Sequence, residues 1–263
     1  MRVKGDGIFS INTSSTSFNS GGISLPEAVV EAGGGGDNPP ITDNLSLLLK
    51  PDVDVYSDAG VTPAVADDNI RQMNDQSVTG NILTQTTAIS QPILKEGIFG
   101  TGIKSIQAVN DWLNFSIDVD IPNTQNSWTL YMTYKKATAH DIYGALKLNG
   151  TNGRTEWISN EHQVKDINGS ARDIIYSETD TNPRIVTYTL DRSANEFKMY
   201  INGSYIGKET VSSVANWPVK FDRVYAHSTR TVNYGDILSY DATHDATQVA
   251  QVADWINGRY QIY

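Results

Sequence analysis

From Ile41 onward, apolar and polar residues alternate with a period of two. In Leu113-Asn114-Phe115-Ser116-Ile117-Asp118-Val119-Asp120-Ile121 the apolar residues fall on one face and the polar ones on the other, the pattern of a half-buried antiparallel strand. Trp128, Leu130, Met132 and Tyr134 repeat it around Thr129, Tyr131 and Thr133. Val186, Tyr188 and Leu190 do so again, then Phe197, Met199 and Ile201. Asn-Gly steps at 149–150, 152–153, 168–169 and 202–203 supply the positive-φ residues that tight hairpins require. The last of these joins a strand over Glu196–Ile201 to one over Ser204–Lys208. Many short strands split by such turns predict an all-β sandwich rather than alternating strand–helix units.

One helix is predicted, near the end. Asp245-Ala246-Thr247-Gln248 has the spacing of a capping box. Val249, Val252, Ala253 and Ile256 then line one face at helical intervals, and Asn257-Gly258 is the expected stop, with the glycine free to take a left-handed cap. Trp255 belongs to this helix and is expected to pack against the sheet. Leu45 to Leu49 suits a strand or a short helix, and the pattern does not choose between them.

Before residue 41 the chain is built differently. Residues 1–32 are mainly Ser, Thr, Asn and Gly, with scattered apolar positions that include Ile8, Phe9, Ile23, Leu25, Val29 and Val30. So little apolar surface does not make a core by itself. Residues 33–40, four glycines followed by Asp37-Asn38-Pro39-Pro40, form a linker. The expected organisation is therefore an extended N-terminal attachment arm over 1–32, a Gly/Pro linker over 33–40 and a sandwich domain over 41–263. The spaced apolar residues of the arm suit docking on a partner protein.

The sequence has 263 residues, 39% of them hydrophobic, which is enough for a large core. With 20 Lys and Arg against 30 Asp and Glu it carries a formal charge of −10. That balance disfavours direct contact with nucleic acid or an anionic membrane surface. The longest purely aliphatic run, Leu47-Leu48-Leu49, is far short of a membrane span, so no insertion is expected. The start lacks an apolar secretory segment. Cysteine is absent, which removes disulfides and thiolate chemistry and agrees with assembly in a reducing cytoplasm.

The order of these signals is similar to a known family. Tyr188-Thr189-Leu190-Asp191-Arg192-Ser193 followed by Lys198-Met199-Tyr200-Ile201-Asn202-Gly203-Ser204-Tyr205-Ile206-Gly207 resembles the concanavalin A-like lectin/glucanase domains of the laminin-G type. The closing Gly235-Asp236-Ile237-Leu238-Ser239-Tyr240-Asp241, then a short helix, then Trp255-Ile256-Asn257-Gly258-Arg259-Tyr260, resembles the end of such domains, which finish on an aromatic strand. Asn69 to Ser77 is similar to their early Trp-x-Asp-x-Ser segment, with Met73 where Trp is common. The resemblance spans Leu45 to Tyr263 and implies a two-sheet antiparallel jelly-roll sandwich. Such domains are frequent in bacteriophage virions behind a short attachment segment. It thus implies a non-enzymatic virion structural protein, a capsid decoration, head fibre or tail-associated component. Its partners would be other virion proteins in an oligomeric arrangement, with host surface glycans as possible ligands. The alternatives are a bacterial carbohydrate-binding module or adhesin and, third, a glycoside hydrolase.

Asp118 and Asp120 alternate on one strand face, but no Glu lies between Glu96 and Glu156. The carboxylate pair of a retaining glycosidase is thus not evident, and no catalytic residue is assigned. Asp52, Asp54 and Asp58 are oxygen donors suited to a hard cation without the EF-hand spacing. The resemblance makes calcium the metal to consider; otherwise no cofactor is expected. His140, His162, His227 and His244 share no metal-ligand spacing. For glycan contact, Tyr143 and Trp157 offer aromatic faces while Asn160 and His162 offer hydrogen bonds.

Overall fold

The computed structural model describes residues 38–121, 127–138, 142–147, 154–158, 161–165, 171–176, 178–210, 219–225 and 231–263. The arm over 1–32 and most of the linker lie outside the described residues, as do the Asn-Gly steps at 149–150, 152–153 and 168–169. The described chain is an all-β, jelly-roll-like sandwich of two antiparallel sheets with a short C-terminal helix.

The first sheet runs in the order β15 (Ser204–Thr210), β14 (Glu196–Ile201), β13 (Arg184–Asp191), β8 (Ser127–Lys136), β17 (Val232–Tyr240), β6 (Lys104–Ala108), β5 (Ile93–Glu96). Strand β1 (Leu45–Leu49) pairs with the later half of β17, beyond the stretch that β6 occupies. The second sheet runs β12 (Ala171–Ile175), β11 (Glu161–Lys165), β10 (Arg154–Ile158), β9 (Ile142–Lys147), β16 (Val219–Tyr225), β7 (Trp112–Ile121), β4 (Ile82–Thr84), β3 (Gln72–Asn74), β2 (Val55–Tyr56). The undecided stretch Leu45–Leu49 is thus a strand. The expected hairpin at Asn202-Gly203 forms, both residues taking positive φ (50° and 75°). The Asn202 side chain also accepts a hydrogen bond from the Ile185 amide at 2.9 Å, tying the turn to the start of β13.

Between the sheets lies the main core. Trp128, Leu130, Met132 and Tyr134 face Leu83, Leu113, Phe115, Leu146, Val164 and Phe221 across it. Each large side chain so buried contributes roughly 1.5–3 kcal/mol relative to exposure. The alternation of β7 holds at Leu113, Phe115 and Val119 but fails at Ile117, which is 59% exposed. The cause is a bulge: the β7–β16 register slips between Phe221 and Arg223, and the Asn81 side chain bonds both the Ile117 amide and its carbonyl in place of a neighbouring strand.

A second core lies on the outer face of the first sheet. Tyr131, Ile185, Tyr200, Leu238 and Tyr240 are covered there by Val249, Val252, Ala253, Ile256 and Tyr260 of α1 (Ala246–Tyr260). The capping box forms as expected, with the Asp245 carboxylate on the Gln248 amide and the Gln248 side chain on the Asp245 amide. Two expectations are corrected here. The helix passes Asn257-Gly258 and ends at Gln261, whose φ of 50° makes it the left-handed cap. Trp255 to Tyr260 are helical rather than an aromatic strand. The reason is tertiary: the Tyr260 ring lies over Gly235 of β17, and its hydroxyl donates to Asp236 Oδ1 at 2.6 Å. That burial holds the last turn in place.

A Cβ on Gly235 would lie 2.7 Å from the Tyr260 ring and 2.9 Å from Thr133 Cγ2. Gly235→Ala is expected to destabilise the fold by about 1–3 kcal/mol through overpacking, read as a lowered urea midpoint. An unchanged midpoint would mean that α1 is not seated on β17 as described.

Candidate functional site

Strands β8, β11 and β13 bring a set of polar side chains together inside one end of the sandwich, around Glu178 in the connection from β12 to β13. The Glu178 side chain is 6% exposed. Its Oε1 accepts a hydrogen bond from the Tyr134 hydroxyl and lies 3.1 Å from His162 Nε2 and 3.8 Å from Arg184 Nε. Its Oε2 is 3.0 Å from Lys136 Nζ. His162 Nδ1 and the Tyr188 hydroxyl are 3.0 Å apart, and the His162 ring meets Tyr176 edge-on. Arg184 also pairs with Asp180 at 2.8 Å. Tyr134, Lys136, Arg184 and Tyr188 come from the first sheet and His162 from the second, so the cluster bridges the two layers.

Burial pushes the Glu178 carboxyl up, but the His162 and Tyr134 hydrogen bonds and the Lys136 charge outweigh it and bring the group down to about 2. Burial holds His162 below the usual imidazole range, and raises the Tyr134 hydroxyl, which therefore stays protonated and donates. A carboxyl held this low has no proton to give near neutrality, so Glu178 is not set up as a general acid. It is a structural anion between the sheets.

A second buried carboxylate, Asp236, lies under α1. Arg259 Nε is 2.8 Å from its Oδ2 and Arg259 Nη2 is 2.8 Å from Asp52 Oδ1. Burial moves the Asp236 carboxyl up to about 6, against Arg259 and the Tyr260 hydroxyl, which pull it down. The Arg259 guanidinium also lies over the Trp255 ring at 5.6 Å, and Trp255 packs against the second core.

In place of a surface contact with sugar, His162 is internal, 1% exposed and engaged with Glu178 and Tyr188. The physical reason is that its strand position faces the sandwich interior and an anion waits there. In the strand registers Trp157 stands opposite His162, and Tyr143 opposite Glu156. The side chains of Tyr143 and Trp157, and all of Asn160, lie outside the described residues, as do the arm residues Ile8, Phe9, Ile23, Leu25, Val29 and Val30.

Asp52, Asp54 and Asp58 do not converge on a ligand set. Asp52 pairs with Arg259, and Asp54 accepts from the Tyr56 hydroxyl and from Gln76 Nε2. Asp58 accepts from the Val61 and Thr62 amides and the Thr62 hydroxyl, the last bond foremost in bringing its carboxyl down to about 2. Among the described residues no three His, Asp or Glu side chains gather as they would around a metal ion. Asp118 pairs with Lys220 at 2.8 Å on the exposed side of β7.

Sequence reasoning missed both buried carboxylates. Glu178 follows Ile174-Ile175-Tyr176 in a polar stretch that reads as an ordinary loop, and nothing local marks it. Asp236 did carry a signal, since Tyr234, Leu238 and Tyr240 surround it in a strongly apolar stretch.

No protein-family model matches the chain, and no curated protein matches it. Solved structures do resemble it in fold. The binding domain of Paraclostridial Mosquitocidal Protein 1 superposes with a TM-score of 0.56 and 14% identity, covering 80% of this chain and 52% of that one. The binding domain of botulinum neurotoxin serotype D gives 0.55 and 12%, covering 81% and 51%. The botulinum neurotoxin DC binding domain in complex with rat synaptotagmin II gives 0.51 and 13%, covering 81% and 52%. The chain spans about half the length of these structures, and at such identities the likeness is one of fold.

Two outcomes test the internal chemistry. Glu178→Gln leaves Lys136 and Arg184 without their shared anion and is expected to destabilise the fold by about 3–5 kcal/mol, measured by urea unfolding. A loss below about 1 kcal/mol would class the cluster with exposed ion pairs. His244, 2.7 Å from the Tyr131 hydroxyl, is lowered by burial from 6.5 to about 4. The unfolded chain therefore binds a proton that the fold refuses, and this contribution, complete above pH about 6.5, is lost as pH falls through about 4. The melting-temperature difference between the parent and His244→Gln should shrink steadily over that window. A pH-independent difference would show that His244 titrates normally in the fold.

Proposed function

We propose that the chain is a non-enzymatic binding protein whose sandwich recognises a partner at a surface. The observation that supports this is the fold likeness, over about four-fifths of the chain, to the binding domain of Paraclostridial Mosquitocidal Protein 1 and to the binding and receptor-binding domain of botulinum neurotoxin D. The botulinum neurotoxin DC binding domain is in complex with rat synaptotagmin II. The inward placement of Glu178, His162 and Asp236 agrees with it, because these carboxylates and this imidazole serve the scaffold.

The finer reading is a bacteriophage virion component, assembled in the host cytoplasm and attached to the capsid or tail by its N-terminal arm. The arm's composition supports it: Ile23, Leu25, Val29 and Val30 stand spaced in a polar segment ahead of four glycines. Burying each on a partner yields roughly 1.5–3 kcal/mol before ordering costs are subtracted. Many copies on one particle multiply a weak contact with a host glycan. The second reading, a bacterial adhesin or carbohydrate-binding module, draws on the same likeness to binding domains.

The test uses the full chain, fluorescently labelled, on intact bacterial cells. Saturable binding that the unlabelled chain competes away is expected; its absence on every surface tried defeats the binding reading. For the virion reading, a chain lacking residues 1–36 should fail to sediment with purified particles while the full chain does so. Equal sedimentation of the two would rule out the docking arm.

A further inference from the structure

Among the described residues, two tyrosines stand more than half exposed, Tyr205 at 53% and Tyr263 at 52%. They are 58 positions apart in sequence, yet they flank the same turn. Tyr205 follows Asn202-Gly203 on the edge strand β15. The Tyr263 hydroxyl reaches the same turn: a Cβ on Gly203 would lie 3.9 Å from it, and 3.4 and 3.6 Å from Ala253 and Ala250 of α1.

Both rings are held in place. Tyr205 stands opposite Tyr200 in the β14–β15 register, and its ring packs edge-on against that buried ring at 5.6 Å. The backbone of Tyr263 is clasped by Asn257, whose Oδ1 accepts from the Ile262 and Tyr263 amides at 2.6 and 3.0 Å and whose Nδ2 donates to the Tyr263 carbonyl at 2.9 Å. The Tyr263 hydroxyl then donates to Asp254 Oδ1 at 3.0 Å. Asp254 is itself exposed, and an ionised carboxylate that accepts one bond keeps further lone pairs for others.

We propose that Tyr205, Tyr263 and Asp254 form a binding site for a neutral hexopyranose unit beside the Asn202–Gly203 turn. The inference rests on the reading of the chain as a binding protein and names its ligand class. The C–H face of a pyranose stacks on an aromatic ring, and its hydroxyls donate to a carboxylate; a tyrosine offers the apolar face together with a polar edge. Holding the rings in advance removes the ordering cost that free side chains incur on binding. A formal charge of −10, with Asp254 at the site, selects against uronic and sialic acids. The site is small, two rings and a turn, which suits one or two sugar units rather than the large contact a stable protein partner needs.

Saturation-transfer NMR of the full chain with lactose, cellobiose and maltose is the test, with the cell-binding assay run alongside. At least one of these disaccharides is expected to receive saturation. Tyr205→Ala and Tyr263→Ala are each expected to weaken that binding roughly tenfold, and Asp254→Asn less. All three substitutions are at exposed positions, so the variants should melt with the parent; a tyrosine variant that does not is replaced by Tyr→Leu at the same position, which keeps bulk and removes the ring. Equal binding by parent and tyrosine variants overturns the site assignment. A parent that binds cells but none of the three sugars overturns the ligand class and leaves the binding reading standing. A parent that binds neither defeats both.

Discussion

Strand β17 is buried at every one of its nine positions, and the architecture follows from that constraint. A strand with water on neither side needs a layer on each. Tyr234 and Ile237 enter the core between the sheets, while Leu238 and Tyr240 enter the core beneath α1. Along its edges β17 pairs with β8 on one side and with β6 and β1 on the other. Removing α1 would therefore expose Tyr131, Leu238 and Tyr240 together. The helix is a third layer that the central strand requires, and not an appendage of the sandwich.

The same constraint explains why charge is found so deep. The β8–β17 register slips between Tyr234 and Ile237, and this irregularity leaves Gly235 and Asp236 beneath the end of the helix. Gly235 leaves room for the Tyr260 ring, and Asp236 meets the Tyr260 hydroxyl and Arg259. Glu178 does comparable work between the sheets, joining His162 of one to Tyr134 and Lys136 of the other. Buried ion pairs gain little net stability over apolar side chains of the same size, but an unmatched charge is costly. Any sliding of one layer that separated Lys136 from Glu178, or Arg259 from Asp236, would leave such a charge behind.

Much of this was legible in the chain, and the reason is local chemistry. The strands over 128–134, 186–190 and 196–201 read correctly because period-two alternation is set by the pleat itself. The Asn202-Gly203 turn and the Asp245–Gln248 box read correctly because each is a short-range hydrogen-bonding or φ requirement that few residues meet. The failures all involve partners distant in sequence. Ile117 reads as core but is pushed out by a bulge that Asn81 stabilises from 36 residues away. The helix stop was misplaced because Gly258 is a permissive cap, whereas Tyr260 is anchored by β17. His162 reads as a polar surface residue, since nothing in its neighbourhood announces Glu178.

This division bears on where recognition can reside in such a molecule. Groups with strong acid–base character at the two buried clusters are saturated by one another, and altering them perturbs layer packing before it perturbs any ligand. The groups left to meet a partner lie where rigid elements reach solvent: the tip of the β14–β15 hairpin, the flank of α1 beside it, and the segment after the helix. The turn rests on Ala250 and Ala253, and Asn257 folds the closing segment back toward it. A ligand at that junction would contact three elements that are distant in sequence and already fixed by the second core. The surface beside the helix is thus preorganised by the same packing that keeps β17 dry.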